Sequence, residues 1–171
     1  MGYPLTQVIA GFASSRDRDV LRKTLTAVYD KLSSQTLTSP GLVIAASNTT
    51  AKTGASTTYA TVHGSLVSIA AGTSMAALSG SVANGTFNVF VFYVDQYGNL
   101  TSAIGTPANS LSGVVFPQQN PKTTMLGFVI VNPTGTGSFV GGTTSLADAT
   151  VVPNAVYINT LGAFDPNSII S

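Results

Sequence analysis

The run Thr86–Val94 restricts the possible folds of this chain more than any other segment. Its residues are apolar on both of the faces between which a β-strand alternates. One face would carry Phe87, Val89, Val91 and Tyr93, and the other Phe90, Phe92 and Val94. A strand with two apolar faces has to be covered on both sides, so the run predicts a central strand rather than an edge strand.

Short β-type runs continue from residue 39 onward, divided by Gly, Pro, Asn and Ser. Residues 58–63 alternate between two faces, and Gly64-Ser65 is an acceptable two-residue hairpin turn before the next run, Leu66–Ala71. Asn84-Gly85 is another turn, leading into the run Thr86–Val94. Later runs are Leu100–Ile104, Val114–Phe116, Met125–Val131 and Val151–Ile158, where Pro153 favours an edge or a bulge. The series predicts that residues 39–171 form an antiparallel β-sandwich or a jelly-roll-like barrel.

Residues 1–38 predict a different unit, an apolar arm followed by one short helix over residues 15–33. The helix carries a stripe of apolar residues at steps of four, three and four: Leu21, Leu25, Val28 and Leu32. This stripe either docks on the β region or pairs with copies of itself around a symmetry axis, because the spacing also suits the a and d positions of a coiled coil.

The arm is too short to build a core of its own. Its apolar side chains therefore have to pack on the rest of the protein or on a neighbouring subunit. They are predicted as contact residues, together with the helix stripe: Tyr3, Leu5, Val8, Ile9 and Phe12.

Charged residues are scarce and unevenly placed. They make up 8% of the chain, against about 25% in an average protein. Glutamate is absent, and eight of the thirteen charges lie in residues 16–31. A freely diffusing protein usually carries more charge to resist association. The composition therefore favours a protein that is held in a large assembly.

The residues needed for most chemistry are missing. The chain has one histidine, His63, and no cysteine, and it contains no G-x-S-x-G motif. These residues cannot assemble a convincing zinc site, and the loop Asp95–Asn99 has the composition of a hairpin turn rather than of a calcium site. Gly135-Thr136-Gly137 lacks the third glycine and the helix of a phosphate-binding loop. We therefore expect no enzyme activity and no cofactor.

The sequence gives no sign of a nucleic-acid or membrane partner. Aspartates interrupt the basic residues of the helix, whereas a nucleic-acid site would present a cleaner basic stripe. No apolar run approaches the roughly 18 residues that span a bilayer. We therefore expect proteins as partners, with binding through apolar area.

The Gly- and Thr-rich segment 132–148 is a candidate contact loop, since long loops inside compact domains are often functional. Phe139 lies within it and is predicted as an interface residue. Tyr97 and Phe139 would also be exposed aromatic residues able to stack on a sugar. A receptor- or carbohydrate-binding module is therefore the alternative to an assembly protein.

Three stretches resemble structural proteins encoded in the head-gene regions of tailed bacteriophages: Thr124–Thr144, Ala149–Asn159 and Phe90–Thr101. The three stretches lie within residues 90–159 and include no catalytic motif. It implies a virion protein of the capsid-decoration or cement type, located on the capsid surface. Such proteins bind neighbouring major capsid proteins, often as homotrimers. Under this resemblance the alternative, a receptor- or carbohydrate-binding module, would belong to a phage head or tail fibre.

Overall fold

The computed structural model describes residues 15–163, without the side chains of residues 15, 30 and 31. This part of the chain is mainly β, with antiparallel sheets and one helix, α1 (Ser15–Ser33), whose bounds agree with the sequence prediction. The strands in chain order are β1 (Gln35–Thr36), β2 (Val43–Ile44), β3 (Ala51–Lys52), β4 (Thr58–Val62), β5 (Ser65–Ile69), β6 (Ser81–Val82), β7 (Asn88–Asp95), β8 (Leu100–Ile104), β9 (Thr123–Val131), β10 (Phe139–Val140) and β11 (Val156–Asn159).

The largest sheet has the order β11-β9-β7-β8, and β7 lies inside it with a partner on each side. All residues of β7 from Asn88 to Val94 are buried. Phe90, Phe92 and Val94 enter the larger hydrophobic core. Val89, Val91 and Tyr93 enter a second core on the other face. The prediction of a central strand covered on both sides is therefore confirmed.

A three-stranded sheet, in the order β1-β4-β5, contributes to the larger core. Strands β4 and β5 each alternate between buried and more exposed residues, as expected for a sheet with one covered face. Their connecting turn is His63-Gly64, one residue earlier than predicted, because both residues adopt positive φ angles of 48° and 77°. Positive φ at both central positions is the geometry that matches the twist of a hairpin. His63 therefore takes the first of the two turn positions, where the sequence analysis placed Gly64.

The second core is covered by the connection between β8 and β9, which includes a 3-10 turn at Leu111–Gly113. Val114 is buried there, and the Phe116 ring meets the Phe128 ring edge to face at 4.9 Å. The predicted strand at Val114–Phe116 is wrong. Only the single bridge between Thr106 and Val115 forms, because packing of side chains rather than ladder pairing fixes this segment.

Strand β9 contains a bulge where it crosses β7. Phe92 lies opposite Gly127 and Tyr93 lies opposite Met125, which leaves Leu126 as an extra residue. The hydroxyl groups of Thr36 and Thr160 both donate to the Met125 carbonyl, at 2.7 and 2.8 Å. Both threonines are buried, so they satisfy a backbone group that water does not reach.

Residues near the two ends of the described β region meet beside this bulge. The backbone N–H of Gly162 donates to the Thr36 carbonyl at 2.8 Å, and the two residues form an antiparallel bridge. Strand β1 therefore belongs to the β region although it precedes the predicted boundary at residue 39. At the other end, β11 is shorter than the predicted run 151–158, and Pro153 lies in a turn before it.

Candidate interaction surface

The apolar stripe of α1 is not covered by the β region along its second half. Val28 exposes 47% and Leu32 exposes 62% of its surface. Leu21 and Leu25 are half-buried. Docking of the whole stripe on the β region, one of the two interpretations of the sequence, is therefore wrong for Val28 and Leu32.

Hydrogen bonds attach the end of α1 to the turn between β4 and β5. The N–H of Gly64 donates to the Ser33 carbonyl at 2.8 Å, and the N–H of His63 donates to the Ser34 hydroxyl at 3.0 Å. The attachment lies at the C-terminal end of the helix, so the β region holds the last turn of α1.

The outer face of the β1-β4-β5 sheet is a second apolar surface, which the sequence analysis missed. Tyr59 on β4 and Leu66 on β5 point away from the core and expose 41% and 65% of their surfaces. Leu37, which follows β1 and whose N–H bonds to the Tyr59 carbonyl, exposes 44%. The sequence already contained this signal. Tyr59 and Leu66 are large residues on the face of β4 and β5 that alternates with the buried face, where polar residues are usual.

The segment 132–148 is braced against the rest of the protein. The Asn84 amide donates to the carbonyls of Gly135 and Gly137, at 2.5 and 3.1 Å. At Gly135 a side chain would overlap the Thr150 carbonyl, so the close approach of the two backbones requires glycine there.

Phe139, predicted as an exposed contact residue of this segment, is fully buried. It lies on β10 opposite Val82 of β6, and its ring meets the Phe90 ring edge to face at 5.5 Å. The prediction of an interface role for Phe139 is wrong, because pairing with β6 turns the ring into the larger core. Tyr97, the other aromatic residue considered for sugar binding, exposes 80% of its surface.

The two aspartates of the described β region stabilise their own turns. The Asp95 carboxylate accepts bonds from the Asn99 amide at 2.8 Å and from the backbone N–H groups of Tyr97 and Asn99 at 2.8 and 2.9 Å. The Asn99 side chain, followed by these backbone groups, lowers the pKa of Asp95. Asp148 has a lowered pKa for the same reason, with the Thr150 hydroxyl as the first cause. Both carboxylates are exposed on turns.

The other polar groups of residues 15–163 form no metal site. Among residues 15–163, no three His, Cys, Asp or Glu side chains come together in a way that would hold a metal ion. Burial raises the pKa of Tyr93 to about 12. Lys52 borders an open depression of about 480 Å³, whose other lining residues are uncharged: Val43, Thr53, Gly54, Ala55, Ala71 and Gly72.

The remaining sequence predictions concern the arm and the membrane. The predicted contact residues of the arm lie outside the described residues: Tyr3, Leu5, Val8, Ile9 and Phe12. Within residues 15–163, no helix has both the length and the apolar character needed to cross a bilayer.

Comparison with known proteins adds no relative. No protein-family model, no curated protein and no solved structure matches the chain. The surfaces described above are therefore the basis for a function.

Proposed function

We propose that this chain is a non-enzymatic structural protein of a tailed bacteriophage virion. It decorates or cements the outer surface of the capsid by binding neighbouring major capsid proteins, and it acts as a homotrimer. Its β region takes a β-sandwich or jelly-roll-like arrangement, in keeping with the antiparallel sheets and the shared core between them.

One observation supports this proposal above the others: large apolar side chains are exposed on a surface with almost no charge. Residues 34–163 contain only four charged side chains, Lys52, Asp95, Lys122 and Asp148. Single exposed apolar residues are ordinary, whereas contiguous patches mark interaction sites. The outer face of the β1-β4-β5 sheet carries Tyr59 and Leu66 on adjacent strands, opposite Ser68 and Thr61, without a charged residue on either strand.

Burial of apolar area is sufficient for such a role. Each Å² of apolar surface removed from water contributes about 25 cal/mol, and a stable contact buries about 800 Å² on each partner. The loss of translational and rotational freedom offsets much of that energy. A homotrimer that contacts neighbouring capsid proteins through several of its subunits needs only a modest affinity at each contact, because the contacts are linked. Such binding needs no catalytic group.

The test compares particles with and without the protein. Virions made by a phage genome that carries this coding sequence are analysed by mass spectrometry, and capsids that lack the protein are heated until they release DNA. We expect the protein in the virion and a lower release temperature without it. Its absence from purified particles, or equal heat resistance of the two kinds of capsid, would overturn the cement role.

A matched pair of substitutions then tests the contact surface. Leu66→Asp places a charge on the outer face of the β1-β4-β5 sheet, and Leu111→Asp places one on the 3-10 turn that covers the second core. Both leucines are exposed, at 65% and 45%. We expect Leu66→Asp to lose binding to capsids that lack the protein, and Leu111→Asp to keep it.

The alternative is a receptor- or carbohydrate-binding module of a phage head or tail fibre. The exposure of Tyr97 at the turn between β7 and β8 favours it, since an exposed aromatic ring can stack on a sugar. A glycan array probed with the protein and with Tyr97→Ala separates the two functions. Binding that depends on Tyr97 would support the alternative, and an array without binding would remove it.

A further inference from the structure

The stripe of α1 needs a cover that the β region does not supply. The helix has 19 residues, and a helix in a protein owes most of its stability to the packing of its apolar face. Val28 and Leu32 are nevertheless largely exposed. The same chain therefore has a well-formed helix and an apolar face that no described residue buries along its second half.

We propose that the cover is the same helix of two further copies of this chain, arranged in parallel around a threefold axis. The steps between the stripe residues assign Leu21 and Val28 to d positions and Leu25 and Leu32 to a positions of a heptad repeat. Two-stranded coiled coils prefer β-branched residues at a and leucine at d. In this assignment α1 has three a positions, of which leucine occupies two, Leu25 and Leu32, and Arg18 occupies the first. Valine occupies one of the d positions, and this departure from the two-stranded pattern favours more than two strands.

The charged residues beside the stripe favour a parallel and in-register arrangement. In this heptad assignment Asp17 takes a g position, and Arg22, five residues later, takes the following e position. Parallel helices bring g of one chain beside the following e of its neighbour, so Asp17 would face Arg22 of the next copy. An antiparallel pair centred on Leu25 would instead place Arg18 at the level of Leu32. In the parallel arrangement Arg18 takes the a position nearest the start of α1, and its long side chain would bend outward so that the guanidinium group reaches water.

The attachment of α1 to the β region fits the same arrangement. The last residue of the helix, Ser33, is bonded to Gly64 in the turn between β4 and β5. A parallel bundle therefore carries all β regions at one end, as threefold cyclic symmetry requires. An antiparallel pair would hold them at opposite ends of a helix about 28 Å long. The threefold symmetry is that of the proposed homotrimer, so the inference rests on the proposed function in that respect. The parallel helix seam serves a capsid protein and a fibre module equally well, and its failure would leave the outcome of the capsid heating test unaffected.

The first test is the absolute mass of the purified protein, measured by light scattering behind a sizing column over a range of concentrations. We expect a mass of about three chains. The double variant Leu25→Gln/Leu32→Gln should fall to one chain, whereas the control Lys23→Gln/Thr26→Gln, on the opposite face of α1, should keep three. A wild-type mass of one or two chains would overturn the proposal, and one chain would indicate that the stripe is covered within the same molecule.

The second test reads the direction of the helices without relying on an unfolded variant. The chain has no cysteine, so Leu21→Cys introduces the only thiol. Parallel helices in register place two such thiols at the same level of the seam, and mild oxidation should then link most chains into covalent pairs. Lys23→Cys, on the outer face, should remain unlinked. Equal linking of the two variants, or none for Leu21→Cys, would overturn the parallel seam.

A charge exchange tests the Asp17–Arg22 pair. Asp17→Arg should weaken association, so that the three-chain form persists only at higher protein concentrations, and Asp17→Arg/Arg22→Asp should restore the wild-type concentration range. The two residues are five positions apart and are therefore not neighbours on the surface of a single helix. Restoration would thus report a contact between chains, and failure to restore would overturn the in-register assignment.

Discussion

Replacement of Phe139 by alanine should strongly lower the free energy of unfolding, because the side chain lies in the core and not on a binding surface. The side chain is fully buried on β10, and its ring contacts the Phe90 ring at 5.5 Å with an interplanar angle of 63°. Truncation of a buried phenylalanine costs about 3–5 kcal/mol, of which the edge-to-face contact accounts for about 0.5–1.5 kcal/mol. Since domains of this size are stable by about 5–15 kcal/mol, the change removes a large share of the total.

Urea unfolding followed by far-ultraviolet circular dichroism is a suitable assay, because the chain contains no tryptophan to follow by fluorescence. Phe139→Ala should lower the midpoint without changing the slope of the free energy against urea. Phe139→Leu keeps most of the apolar volume and should lose about 1 kcal/mol, the share of the aromatic contact. All variants are compared at one protein concentration, because self-association makes the midpoint depend on it.

Tyr97→Ala is the matched control, since it removes an aromatic ring that is 80% exposed. Its free energy of unfolding should stay within about 0.5 kcal/mol of the wild type. If Phe139→Ala unfolded at the same urea concentration as Tyr97→Ala and lost only the binding of a partner, the ring would be a surface contact. The placement of β10 in the core would then be refuted.

Two further predictions concern the bulge and the turn after β7. Thr36→Val and Thr160→Val should each cost about 1 kcal/mol in urea unfolding. The double variant should cost more than the sum, because both hydroxyl groups donate to the Met125 carbonyl; simple additivity would contradict a shared acceptor. The lowered folded-state pKa of Asp95 means that its contribution to stability is present above its ordinary value of 3.8 and is lost as the pH falls through the folded value. The melting temperature of Asp95→Asn should therefore fall less between about pH 6 and pH 3 than that of the wild type, and an equal fall would disprove the role of this carboxylate.

Local patterns were sufficient to predict the elements whose signal is contained in consecutive residues. The stripe and the polar positions around it placed α1 correctly, and the two apolar faces of Thr86–Val94 identified β7 as a central strand. The turn Asn84-Gly85 also forms where it was predicted. Each of these features depends on side chains that are neighbours in sequence, so long-range contacts do not override them.

The errors arose where a distant segment decides the outcome. Phe139 is buried because β10 pairs with β6, which lies more than fifty residues earlier in the chain. The apolar character of Val114–Phe116 suits a strand, but its side chains pack on the second core without a ladder partner. Val28 and Leu32 are exposed because of the direction in which α1 extends from its attachment at Ser33. The periodicity of the helix sequence does not determine that direction. The exposed pair Tyr59 and Leu66 could have been found from the alternation of β4 and β5.

The meeting of Thr36 with Gly162 has a consequence for the time at which the protein can fold during synthesis. Strand β1 reaches the ribosome exit long before Gly162, and the carbonyl that Thr36 and Thr160 share belongs to Met125. The sheets therefore close only after nearly the whole β region has been translated. Contacts between residues so far apart in sequence form slowly and leave apolar strands uncovered in the meantime. The nascent chain thus carries β7 without its partner β9 until residue 131 has been translated, and β9 without its partner β11 until residue 159. A chaperone would find these uncovered strands during that period.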